Sequence, residues 1–128
     1  MTPMHSTVRL TFVSLGLFLV AFPLTVGKPG MPPNLKADEA AYYLMALSLV
    51  EDGDLACETK DIHRLTREYP YQAVENLILA TPDGWRTVYF GKPYLYSLFG
   101  APWVALFGSN GLVGFNMALL VAMIGMGA

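Results

Sequence analysis

Two long apolar runs lie towards the ends of the chain, and most of its charged residues lie between them. The first run covers 10–26 and is interrupted only by Thr, Ser, Gly and Pro. At a rise of about 1.5 Å per residue, such a helix approaches the roughly 30 Å thickness of a bilayer's hydrocarbon core. We therefore predict a cytoplasmic N-terminus over 1–9 and a first transmembrane helix over 10–26.

A cleaved signal peptide is the alternative interpretation of this run, because Arg9 supplies a basic flank. The run is longer than the usual apolar region of about 7–15 residues, and the Gly-Lys-Pro-Gly sequence at 27–30 is a poor cleavage site. These features favour an uncleaved signal anchor. Arg9 and the free amino terminus then lie inside, and the following segment lies outside.

The second apolar run predicts a transmembrane helix over 110–128. From Gly111 onwards, Asn116 is the only strongly polar side chain. No basic anchor, aromatic belt residue or polar tail follows, although a spanning helix normally finishes with such groups. We expect this helix to be truncated and the chain to be the N-terminal part of a longer polytopic protein, inactive by itself.

The extramembrane loop over 27–93 contains two predicted helices. The first, over 38–50, is apolar on nearly every side, which is typical of a helix that is buried or lies at the lipid interface. Glu-Asp-Gly-Asp at 51–54 ends it with turn-forming residues. The second helix, over 60–69, is charged, with Ile62, Leu65 and Tyr69 on one face.

A β-hairpin is predicted next, because apolar runs at 77–80 and 85–90 flank a Thr-Pro-Asp-Gly turn. The segment 94–108 then predicts a juxtamembrane helix, too short to span the bilayer. The predicted fold is mainly α and integral to the membrane. Two transmembrane helices flank an extracytoplasmic loop with juxtamembrane helices and a small β-hairpin.

Composition supports a membrane protein and excludes one class of partner. Hydrophobic residues make up 54% of the chain, charged residues only 14%, and the mean hydropathy is +0.42. The net charge of −2 provides no basic field to attract nucleic acid. Cys57 is the single cysteine, so no internal disulfide forms, and it matches no metal-ligand spacing.

Asp38 and Glu39 are the most informative candidates for chemistry, since carboxylates at a membrane boundary are costly to desolvate. The simpler interpretation is a helix cap, because acidic residues favour the first turn. Lys92 likewise has two interpretations, an anchor that reaches the interface or a ligand for a lipid phosphate. His5 and His63 belong to no triad or zinc motif and are left unassigned.

The order of these pieces resembles the start of GT-C superfamily glycosyltransferases, the group that contains protein O-mannosyltransferases and lipid A aminoarabinose transferases. The resemblance covers most of the chain from Val8 onwards. The matching order begins with a transmembrane helix, which is followed by Asp-Glu-Ala-Ala-Tyr-Tyr-Leu-Met at 38–45 and Asp-Gly-Asp at 52–54. Gly-Lys-Pro-Tyr-Leu-Tyr comes later, at 91–96, and a segment that contains Pro102 and Phe107-Gly108 then leads to the next span. Many relatives have Lys-Pro-Pro where this chain reads Lys92-Pro93-Tyr94.

This resemblance implies transfer of a sugar from a polyprenyl-phosphate donor to a protein, lipid or glycan acceptor outside the cytoplasm. It makes 27–93 a catalytic loop on the extracytoplasmic side of the plasma (inner) membrane. Asp38 would be the general base, Glu39 a supporting carboxylate, and Lys92 the cation that neutralises the lipid phosphate. Tyr42 and Tyr43 are the further substrate-binding candidates. We expect Asp38 and Lys92 to converge on a polar pocket at the lipid surface.

The resemblance also allows a divalent metal, Mg or Mn, in the full-length protein. Its ligands would come largely from later loops, with Asp38 as one candidate. The alternative function is a non-enzymatic polytopic membrane protein, such as a transporter or assembly subunit. In that case Asp38 and Glu39 only cap a helix, and Lys92 is only an anchor.

Overall fold

The computed structural model describes residues 3–25, 35, 37–70, 77–82, 84 and 87–127. The fold is mainly helical with a small antiparallel sheet, as predicted. The elements are α1 (Pro3–Thr25), α2 (Ala37–Glu51), α3 (Thr59–Glu68), β1 (Leu79–Ala80), β2 (Tyr89–Phe90), α4 (Leu95–Phe107), a 3₁₀ turn (Gly108–Asn110) and α5 (Gly111–Gly127).

Helix α2 lies between α3 and α4. Ala40, Leu44, Met45 and Ala46 are fully buried in the core that these helices form. A helix enclosed on two sides needs apolar residues around most of its circumference, which explains the nearly uniform apolar pattern. Of the two predicted environments for α2, the structure shows burial against other helices.

A network of charged residues fastens the end of α2 to α3. Arg64 donates to both carboxylate oxygens of Asp52, with the Nη2–Oδ1 distance at 3.1 Å, and Nη1 lies 3.0 Å from Oδ1 of Asp61. Asp61 also accepts from the Glu58 backbone N–H at 2.9 Å, which caps the start of α3. The acidic turn after α2 is therefore a structural connection between two helices.

The predicted amphipathic pattern of α3 is confirmed. Leu65 and Tyr69 are buried, Ile62 is half-buried, and His63 is exposed. The helix ends at Glu68, where the Tyr69 N–H donates to the Leu65 carbonyl at 2.7 Å. Pro70 follows Tyr69, and proline has no backbone N–H with which to continue the helical hydrogen bonds.

The predicted hairpin is also confirmed, with strands shorter than expected. Leu79 pairs with Phe90 and Ala80 with Tyr89 in antiparallel register. An additional antiparallel bridge joins Ala56 to Tyr89, so the strand after the turn also contacts the α2–α3 connection. Trp and Arg at 85–86, which were predicted to extend the second strand, lie outside the described residues.

Helices α4 and α5 fold back on one another at Gly108. This residue has a φ of 58°, a left-handed conformation that glycine adopts without a Cβ clash. Beyond the 3₁₀ turn, Gly111 lies against the backbone of Trp103, so closely that a Cβ would overlap the Trp103 carbonyl group. Small residues at the turn thus bring the two helices into direct contact.

The described residues include one helical stretch that is long and apolar enough to cross a membrane, Leu95–Met126. This stretch is not one straight helix: it contains α4 and α5, which fold back on one another at Gly108, between the predicted juxtamembrane helix and the second predicted span. Helix α1 begins at Pro3, earlier than the predicted 10–26, since proline is accepted in a helix's first turn. Its apolar portion, Val8–Phe22, is shorter than a full span.

Helices α1 and α5 pack antiparallel through glycines. A Cβ on Gly16 would lie 2.9 Å from Cγ1 of Val121, and Gly114 lies against Leu24. Large apolar side chains on both helices face outwards, including Phe12, Leu17, Phe18, Leu119, Met123 and Ile124. Small residues at the contact and large apolar residues outside are typical of helix packing in lipid.

Candidate functional site

Asp38 and Lys92 form an ion pair, with 2.8 Å between the Asp38 Oδ1 and the Lys92 Nζ. Asp38 lies in the first turn of α2, and Lys92 lies in the connection from β2 to α4. The Asp38 side chain is 60% exposed, whereas that of Lys92 is only 19% exposed. The two residues meet, as expected, but neither cavity described below is lined by them, so the expected polar pocket around them is not shown; their chemical roles remain predictions.

Local structure explains why each residue occupies its position. The first backbone amides of an α-helix have no partner within the helix and lie at the positive end of its dipole, both of which favour a carboxylate at a position such as that of Asp38. Before Lys92, the Gly91 N–H donates to the Ile78 carbonyl at 2.8 Å, which ties this segment to the strand before the hairpin turn. The hairpin therefore delivers the lysine to the start of α2.

Hydrogen bonding and aromatic contacts hold α4 to α2 beside this pair. The Ser97 hydroxyl donates to the Tyr42 carbonyl at 2.9 Å. The Tyr42 and Tyr96 rings meet edge to face with centroids 5.1 Å apart. Tyr42 is thus placed near the β2–α4 connection and is half-buried, and its role in substrate binding remains a prediction.

Tyr96 and Asn116 are polar residues of this region that sequence reasoning did not connect. The Tyr96 hydroxyl donates to Oδ1 of Asn116 at 3.0 Å, across the α4–α5 contact. The Tyr96 ring also packs against Phe115, with centroids 5.6 Å apart. The sequence signal was the lone polar Asn116 within an apolar run, because a polar group in such a segment requires a partner.

Glu39 is exposed at the start of α2, next to Asp38. Asp38, Glu39, Lys92, Tyr42, Tyr96 and Asn116 thus form one region where α2, α4 and α5 approach, which we call the α2–α4 site.

Tyr43, in contrast, faces α3. Its hydroxyl donates to Oε2 of Glu68, and its ring packs edge to face on Tyr69 with centroids 6.1 Å apart. Burial, together with the hydrogen bond to Glu68, raises the pKa of Tyr43 above its ordinary value. The structure therefore separates Tyr43 from the other predicted site residues and places it in the packing of α2 on α3.

Among the cavities that border the described helices are one between α2 and α3 and one between α1 and α4, and neither of these is lined by Asp38 or Lys92. One, of about 330 Å³, lies between α2 and α3 and is lined by Tyr43, Leu47, Glu51, Arg64, Arg67 and Glu68. The other, of about 300 Å³, is apolar and lies between α1 and α4, lined by Val20, Leu24, Pro102, Trp103, Leu106 and Phe107. Asp38 and Lys92 thus meet at the surface and not within either of these cavities.

The described residues contain no group of three or more His, Cys, Asp or Glu side chains that could hold a metal ion. The carboxylate of Asp38, the candidate ligand, is paired with the Lys92 ammonium. These residues do not fit the divalent metal that the resemblance allows. The chemistry of the α2–α4 site is therefore argued from the side chains alone.

No family model matches this chain, and comparisons with curated proteins and with solved structures find no match.

Proposed function

We propose that this chain belongs to a membrane glycosyltransferase that moves a sugar from a polyprenyl-phosphate donor to an acceptor outside the cytoplasm. The observation that carries the proposal is the Asp38–Lys92 ion pair. Two residues far apart in the sequence, selected as base and phosphate-binding cation, contact one another at the edge of the apolar helices. A transferase of this type needs a base and a cation close to one another, because a proton is removed and a phosphate is released in one reaction.

In the proposed reaction, Asp38 accepts the proton of an acceptor hydroxyl while the hydroxyl oxygen attacks the anomeric carbon of the donor. A new bond forms between the acceptor oxygen and that carbon. The bond from the anomeric carbon to the phosphate oxygen breaks, and its electron pair leaves with the phosphate. The Lys92 ammonium stabilises the negative charge that develops there.

Membrane insertion is part of this proposal. It is supported by the apolar stretch Leu95–Met126, by the glycine-mediated packing of α1 on α5, and by the large apolar side chains that both helices present outwards. Insertion would place Lys92, just before α4, near the lipid headgroups, where a cation meets phosphate at short range. The extracytoplasmic position of the loop over 27–93 is proposed from the resemblance to GT-C superfamily glycosyltransferases.

The proposal is tested with Asp38→Asn in the full-length protein, in its own membrane. We expect expression and insertion to be retained and transfer from a prenyl-phosphate-linked sugar to fall by about 10²–10⁴-fold, the usual contribution of a general base. Glu51→Gln is the matched control, since Glu51 is an exposed carboxylate at the other end of α2. Transfer by Asp38→Asn at the wild-type rate would remove Asp38 from the chemistry.

A non-enzymatic membrane protein, such as a transporter or an assembly subunit, is the second candidate. The observation that favours it is that Asp38 and Lys92 satisfy one another's charge, as a purely structural tie between α2 and the start of α4 would. Exposed pairs of this kind contribute only about 0–1 kcal/mol to stability. Absence of sugar transfer in the wild-type full-length protein, with every candidate donor lipid, would favour this function.

A further inference from the structure

We infer that the Asp38–Lys92 ion pair is a competitive contact that a phosphate ester must break, so that donor binding releases the base. The inference rests on the proposed function and adds an order of events to it. Lys92 holds Asp38 before the donor binds, the donor phosphate then takes the ammonium, and Asp38 becomes free to accept a proton.

The exposures of the two side chains support this exchange. Lys92 is largely covered, with 19% of its side chain exposed, so the surrounding residues restrict the movement of this side chain. Asp38 is 60% exposed and lies in the first turn of α2, so its carboxylate can turn into solvent without disturbing the core. The lysine is thus the fixed partner, and the aspartate is the partner able to leave.

Electrostatics makes the two anions compete for one cation. A phosphate ester and a carboxylate on the same ammonium lie close enough to repel one another, and the repulsion is strongest where solvent is partly excluded. The diester phosphate of the donor bears one negative charge, as the carboxylate does, and the phosphate monoester that is left after transfer bears more. Once the carboxylate is no longer paired with the ammonium, its oxygens are free to accept the hydrogen of an acceptor hydroxyl.

The exchange predicts that removing the charge of Asp38 improves phosphate binding. The probe is geranyl phosphate, and its dissociation constant is measured on the full-length protein in nanodiscs of neutral lipid. Asp38→Asn should bind it about fivefold or more tightly, within the usual range of coupling between sites. Lys92→Met should bind it about tenfold or more weakly, because a charge-assisted hydrogen bond is lost.

Matched controls separate this competition from a general change in charge. Glu51→Gln removes a carboxylate from the other end of α2, and Lys60→Met removes a lysine that pairs with Asp52 and Glu58 in the α2–α3 network. Both should leave affinity within about twofold of the wild type, as expected for distant sites. In a Lys92→Met background, Asp38→Asn should no longer improve binding, because the shared cation is absent.

Comparing probes identifies the source of the phosphate. Geranyl phosphate should bind more tightly than inorganic phosphate and than dioleoyl phosphatidate added to the nanodiscs. Tighter binding of either alternative, or equal binding of all three, would overturn a lipid-linked donor as the occupant. Unchanged or weaker binding of geranyl phosphate by Asp38→Asn, with its thermal midpoint unchanged, would overturn the exchange itself.

The two proposals fail separately. If the Asp38→Asn protein is inactive but does not bind geranyl phosphate more tightly, the proposed function stands and the exchange is overturned. An Asp38→Asn protein that binds more tightly yet transfers sugar normally supports competition for Lys92 and overturns the role of Asp38 as base.

Discussion

Asp52 and Asp61 contact the same arginine, yet the structure affects their acidities in opposite directions. The hydrogen bond from Arg64 lowers the pKa of Asp52 to about 2, and Lys60 adds to this effect. Burial raises the pKa of Asp61, although Nη1 of Arg64 lies 3.0 Å from its Oδ1. The two carboxylates therefore make opposite contributions to the dependence of stability on pH.

We expect Asp52 to stabilise the fold above about pH 4, its unfolded pKa, and to lose this contribution as pH falls towards the folded pKa of about 2. The sign follows because the unfolded chain binds the proton more readily than the folded chain does. The free energy of unfolding is measured for the wild type and for Asp52→Asn from about pH 5 to about pH 2. The two stabilities should converge at low pH, and a constant difference across this range would contradict the assignment.

Tyr43 and Tyr42 are adjacent in sequence but serve different contacts. We expect Tyr43→Phe to lower the free energy of unfolding by about 1–2 kcal/mol, because the charge-assisted bond to the Glu68 carboxylate is lost. Phosphate binding at the α2–α4 site should not change, since Tyr43 faces α3. Tyr89→Phe, at an exposed position on β2, is the control. A loss of phosphate affinity in Tyr43→Phe would return Tyr43 to the substrate-binding residues.

At the scale of elements, the α4–α5 turn depends on a close backbone approach at Gly111. We expect Gly111→Ala to destabilise the protein by about 1–3 kcal/mol, because the new methyl group would overlap the Trp103 backbone, which cannot move as a side chain can. The control is Gly125→Ala in the same helix, where a Cβ meets nothing within 4 Å. Chemical unfolding in detergent measures both, and equal stabilities would contradict the close packing.

The α4–α5 turn also positions the Tyr96–Asn116 hydrogen bond. Because α5 returns along α4, the lone amide of the apolar run meets a phenol near the other end of α4. The same geometry brings Phe115 against Tyr96. The α2–α4 site thus depends on the bend at Gly108, although that glycine lies at the far end of α4.

At the scale of the whole molecule, the outward apolar surface of α1, α4 and α5 should lie in lipid. Single cysteines are introduced at Phe99 on α4, Leu119 on α5 and His63 on α3, in a Cys57→Ser background. In intact membranes a water-soluble maleimide should label only the α3 position, because hydrocarbon excludes the reagent and thiolate formation requires water. Equal labelling of all three before detergent is added would contradict the membrane assignment.

The sequence by itself determined the local elements of this protein. Helices α2, α3 and α4 and the hairpin follow from features that act over a few residues, namely apolar periodicity, acidic residues at a helix start, and Gly or Pro at turns. The predicted and observed bounds of α2 and α3 differ by a single residue at each end, because these signals act where the element begins and ends.

Tertiary structure decided which side chains meet. The apolar pattern of α2 did not distinguish lipid from protein burial, and it did not separate Tyr42, beside α4, from Tyr43, beside α3. The order of motifs predicted that Asp38 and Lys92 converge, but the direct ion pair, and with it the competition for one ammonium, depends on how the hairpin and α4 pack against α2. Such contacts join distant parts of the chain, and no local pattern specifies them, since they arise from the packing of whole elements.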